Sequence, residues 1–155
     1  MPLEQSGQER LRALNDAAAT ALTSALEIAK ELRSPKTLAA VLLQIGNASG
    51  QRALTYKSIG QVDLARDTLK ICRASLLNAK NIYAEIGDDH GVANAVLNLV
   101  NQIRFFGEIE EAKLMLADVM RAATKFGDER LLEKAGQLQE RLETGRIPDY
   151  PLSFS

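Results

Sequence analysis

Asn94, Asn98, Asn101 and Arg104 follow one another at spacings of four, three and three residues, which puts all four on one face of a helix. An amide side chain both donates and accepts hydrogen bonds, so it can meet either group of a peptide backbone. A guanidinium can grip a carboxylate through two N–H groups. The chemistry this row suits is recognition. Asparagine is also a poor helix former, so a helix that carries three of them calls for a reason. Two readings stand at this point: a binding face, and an ordinary solvated face.

Residues for bond-making chemistry are scarce. His90 stands beside Asp88 and Asp89, but a metal centre needs three or four converging ligands and the chain has no other histidine. The two aspartates already suit the capping of a helix. Cys72 falls in an apolar stripe between Leu69 and Leu76, which reads as a small core residue. With one histidine and one cysteine, neither a Ser/His/Asp nor a Cys/His set is positioned. No glycine-rich phosphate loop follows a strand. The expectation is a protein that is not an enzyme and uses no cofactor and no metal.

The elements that must position the row are helices. Alanine and leucine are abundant, prolines number four, and no stretch keeps a period of two. Helices are predicted over about Gln8 to Arg33, Pro35 to Ser58, Val62 to Ile86, Gly91 to Phe105, Ile109 to Phe126 and Glu129 to Glu143. Three are long and three short. Ser6 to Glu9 reads as a capping box for the first. Leu11, Leu14, Ala18, Ala21 or Leu22, Ala25, Ile28 and Leu32 form its expected apolar stripe. Ser34-Pro35 opens the second, with a cap followed by proline at the first helical position. Gly46 and Gly50 mark a possible kink or break in it. Gly87-Asp88 and Gly127-Asp128 are matching hinges, each with a glycine to close one helix and an aspartate to cap the next. The sixth helix is polar on one face, as the end of a stacked array requires.

Phe105 and Phe106 are expected to pack between hairpins. The tail, 145–155, is set apart: Pro148 and Pro151 exclude a helix, and Tyr150, Leu152 and Phe154 place large groups at alternate positions. It is either flexible or docked in a groove, its own or a neighbour's. The organisation expected is one helical domain over 1–144 followed by that tail.

Internal repetition supports this layout. The inner turns at Gly60 and Gly107 lie 47 residues apart, with Ala65 matching Ala112 and Leu69 matching Leu116. Both arms of the first hairpin are longer than those of the second by about two helical turns, which keeps an antiparallel pair in register. By the hinge register Gln44 and Asn47 correspond to Asn98 and Asn101.

Residues 84 to 128 resemble the tetratricopeptide repeat, in its roughly 40-residue variety found in regulatory and scaffold proteins. The pattern falls on Val96, Leu99, Val100 and Ile103, the turn glycine on Gly107, the small second-helix residue on Ala112, then Leu116 and Val119. No large aromatic stands at Val96, and the usual closing proline is absent at Thr124. Residues 36 to 83 match less closely, and the first helix resembles a second helix without its partner. The resemblance implies a short right-handed superhelix whose first helices line a concave groove. Asn94, Asn98, Asn101 and Arg104 would then floor it, with Gln44 and Asn47 beside them.

Charge and hydropathy narrow the partners. Nineteen Lys and Arg against 20 Asp and Glu give a net charge of −1, without the clustered positive charge that neutralises nucleic-acid phosphates. No apolar run reaches the ~20 residues of a membrane helix. Met1 to Arg10 lacks the apolar core of a signal peptide, so a cytoplasmic location is expected. The function expected is a protein–protein interaction module, an adaptor or scaffold holding a partner's peptide or helix in the groove, with no nucleic-acid or membrane partner. The alternative is a homo-oligomeric structural protein that uses its long N-terminal helices as the contact surface.

Overall fold

The computed structural model of the protein describes residues 5–144; the tail over 145–155, flexible or docked in the sequence reading, lies outside them. The described chain is all-α. Six helices run in order: α1 (Gln5–Glu31), α2 (Pro35–Ser58), α3 (Val62–Glu85), α4 (Asp89–Ile103), α5 (Ile109–Phe126) and α6 (Glu129–Thr144). A single 3-10 turn, Arg104–Phe106, ends α4. Consecutive helices pack antiparallel, as connections this short require. α4 sits at the centre, touching α3, α5, α2 and α6.

The helix ends follow from local chemistry. The Ser34 hydroxyl accepts from the Thr37 amide at 3.3 Å, with Pro35 just inside the helix. Asp88 accepts from the Gly91 amide at 2.9 Å, and Asp128 repeats the bond to the Leu131 amide at 3.0 Å. Gly87 and Gly127 take left-handed φ values of 75° and 68°, where a Cβ would be strained. At the corresponding first hinge Arg33 adopts φ 51° without that freedom.

Two expectations change, and one open question closes. Ser6 does not cap α1, because the helix already includes Gln5. The stripe expected on α1 holds only in part: Leu11, Ala18, Leu22 and Ala25 are half-buried, whereas Leu14, Ile28 and Leu32 are exposed and the buried residue, Ala29, lies outside it. The alanine-rich middle lets several rotations of the stripe look alike in sequence, and α2, the principal neighbour of α1, selects among them. Finally, α2 runs unbroken through Gly46 and Gly50. These glycines serve close approach. A Cβ on Gly46 would lie 2.5 Å from Leu76 Cγ, and one on Gly50 would lie 2.4 Å from the Gln102 side chain.

The core follows the helical periods. Ala65, Cys72, Leu76, Ala79 and Tyr83 of α3 are buried, as are Val96, Leu99, Val100 and Ile103 of α4 and Ala112, Leu116 and Val119 of α5. α2 and α3 span 24 residues each, against 15 for α4 and 18 for α5, so the first hairpin is longer on both arms. Polar ties join the two hairpins at their inner turns. Lys57 Nζ donates to the Phe105 carbonyl and lies 5.2 Å from the Phe106 ring centre. Arg73 on α3 pairs with Glu108 and, at 2.7 Å, with Glu111. Phe105 is buried and Phe106 half-buried, so both pack at this junction. α6 buries Leu131, Ala135, Leu138 and Leu142, and leaves Glu133, Gln137, Gln139 and Glu140 exposed.

Candidate functional site: a buried amide and guanidinium row

α4 holds the polar row, and its position in the fold decides the row's character. None of the residues from Ala95 to Phe105 is exposed. Asn98 is 2% exposed, Asn101 0% and Arg104 2%, so the solvated-face reading does not hold for these three. Asn94, one turn earlier, is half-buried. Gln102, which the sequence reading did not single out, is buried as well and faces Gly50 of α2.

The row is bonded along its length. The Asn98 amide donates to the Asn94 carbonyl at 2.8 Å, and Arg104 Nε donates to Asn101 Oδ1 at 3.2 Å. The Arg104 guanidinium carbon lies 4.6 Å from the Phe105 ring centre, a cation–π contact that strengthens where water is excluded. Its Nη2 is buried and has no hydrogen-bond acceptor. Burial pushes the guanidinium down to about 10, and the nearby positive charge of Arg141 on α6 adds to the effect. A buried donor without an acceptor forfeits roughly 1–3 kcal/mol, and more when charged. Among the described residues no carboxylate pairs with Arg104, so the end of the row is electrostatically incomplete.

The α2 pair is placed differently. Gln44 is exposed and Asn47 half-buried, with Asn47 Oδ1 buried and lacking a donor. Asn94, Gln44 and Asn47 are thus the more accessible members of the predicted set, while Asn98, Asn101 and Arg104 form its buried part.

The remaining candidates take structural positions. Cys72 is fully buried, and burial pushes its thiol up to about 12, which holds it in the unreactive protonated form. His90 is exposed, with Nδ1 3.8 Å from Asp128 across the two hinges. Among the described residues no group of three or more His, Cys, Asp or Glu side chains could hold a metal, and no helix is long and apolar enough to cross a membrane. A recess of about 430 Å³ lies between α1 and α2, where Leu14, Asn15, Arg52 and Tyr56 contribute to its wall.

Fold and row together define the class: an all-α protein of consecutive antiparallel helices whose central helix carries a buried amide and guanidinium row. No protein-family model, curated protein or solved structure matches the chain.

Proposed function

We propose that the protein is a helical-repeat interaction module of the tetratricopeptide type, an adaptor or scaffold that captures a peptide or helix of a partner protein. The observation that supports this most is the adjacency of α2, α4 and α6. These are the first helices of successive hairpins, and α4 touches both of the others. In a short superhelix they would form one continuous face. The amides of Gln44, Asn47 and Asn94 would meet the partner's backbone, and Arg104 would lie beneath.

The test is selection of binders from a random peptide display library on the full chain. The affinity of the selected peptides is then measured against the Gln44→Ala/Asn94→Ala variant. Each lost hydrogen bond removes about 0.5–1.5 kcal/mol, so the double variant should bind roughly tenfold more weakly. Leu114→Ala, at a position 72% exposed on α5, should leave binding unchanged. Peptides that bind both variants as tightly as the parent chain contradict the proposal.

A second reading, self-association, draws on α1. Leu14, Ile28 and Leu32 are exposed there at 67%, 58% and 65%, which is apolar surface that a second copy would cover. Light scattering that shows a monomer at high concentration removes it.

A further inference from the structure

We infer that the recess between α1 and α2 is a binding site for a free apolar α-amino acid. The ligand's carboxylate accepts from the Arg52 guanidinium, its ammonium donates to Asn15 Oδ1, and its side chain lies against Leu11 and Leu14. The inference goes beyond the peptide-capture proposal and shares none of its residues.

The first argument is a pair of unmet polar groups of opposite kind. Arg52 and Asn15 both line the recess. Arg52 Nε is buried and has no acceptor, and Asn15 Oδ1 is buried and has no donor. Among the described residues the guanidinium's hydrogen-bond partner is the Ser49 hydroxyl of its own helix, which accepts from Nη2 at a long 3.4 Å. Buried polar groups left unpaired are costly. A guanidinium is best matched by a carboxylate, and an amide oxygen by an N–H donor. One small molecule that carries both meets both.

The second argument is size and lining. The recess measures about 430 Å³, within the range of about 300–1,000 Å³ of small-molecule sites. Leu11, Leu14 and Ala48 give it an apolar wall. Leu14 is 67% exposed, so the recess opens to solvent beside it. The third argument is charge of both signs. Burial pushes the Tyr56 phenol up, the Arg52 charge pulls it back, and the charge of Asp16 adds to the rise. Asp16 is exposed and follows Asn15 on α1. Both charges therefore act within the recess. Arg52 favours a carboxylate, and Asp16 favours a cation on the Asn15 side. A simple carboxylic acid answers only the first.

The experiment titrates L-phenylalanine into the full chain by calorimetry and follows the Arg52 Nε–H and Asn15 side-chain signals by NMR. Saturable one-to-one binding with shifts at both groups is expected. Phenylalaninamide lacks the carboxylate and 3-phenylpropionate lacks the ammonium, so each should bind about tenfold or more weakly. Arg52→Gln should weaken phenylalanine by a similar factor and leave phenylalaninamide no weaker, a selectivity that a merely structural role would not produce. Ala48→Leu should fill the recess and abolish binding, with helix content by circular dichroism unchanged. Absence of saturable phenylalanine binding overturns the inference. So does phenylalaninamide that binds as tightly as phenylalanine. Arg52 and Asn15 signals that move with protein concentration and not with phenylalanine give the recess to a second copy, and overturn it too.

Discussion

Gly46→Ala is the sharpest test of how α2 meets α3. A helix normally gains about 1 kcal/mol when an interior glycine becomes alanine. Here the new methyl would sit 2.5 Å from Leu76 Cγ and 2.6 Å from Leu76 Cδ2. Leu76 is fully buried, so its side chain has little room to yield, and the added methyl also meets the Cys72 carbonyl at 3.4 Å. Overpacking a well-filled core costs about 1–3 kcal/mol. Set against the propensity gain, the net expectation is a loss of up to about 2 kcal/mol. Gly136→Ala supplies the control, because its added methyl in α6 meets nothing within 4 Å. That variant should gain roughly 0.5–1 kcal/mol. Urea unfolding followed by circular dichroism measures both. A Gly46→Ala protein as stable as Gly136→Ala would show that α2 and α3 do not approach as described.

Further outcomes are expected elsewhere. Arg33→Gly should stabilise the first hinge by roughly 0.5–1 kcal/mol in the same assay, since it relieves a non-glycine residue at φ 51°. Asp128→Ala removes a cap and should lower stability by about 1 kcal/mol. Cys72 should resist thiol reagents in the native protein and react once urea unfolds it. Its thiol also titrates at about 12 in the fold against 9.0 in a free side chain. The protonated form is favoured by folding, so this contribution is complete below pH 9 and is lost as pH rises towards 12. Unfolding curves for the parent and Cys72→Ala between pH 8 and 10 should therefore converge. A constant difference across that range rejects the buried-thiol account.

Boundaries were legible where a residue type has one local use. Ser34-Pro35 and Gly127-Asp128 set the start of α2, the end of α5 and the start of α6 to the residue, and Gly87-Asp88 set the end of α3 and the start of α4 to within two positions, because capping and left-handed turns depend on the chain within a few positions. The burial of the row was not legible. Asn94, Asn98 and Asn101 at helical spacing look the same on a wet face as on a helix enclosed by four others, and only the placement of α4 between α2 and α6 separates the two. Gly46 and Gly50 carried a usable signal. Glycines four apart can be a weak point or a contact surface, and Leu76 and Gln102 opposite them decide for contact. Gln102 could have been found by the same reasoning. The tie from Lys57 to the Phe105 carbonyl spans 48 residues and had no local mark.

The claim that the α2, α4 and α6 face is a binding surface is tested most directly by mapping a selected peptide on the full chain through its backbone and side-chain amide NMR signals. The account predicts shifts at Gln44, Asn47, Asn94 and Asn98, with Asn78 and Asn81 on α3 unmoved. Shifts confined to α1 around Leu14 and Ile28, with the row silent, would contradict it.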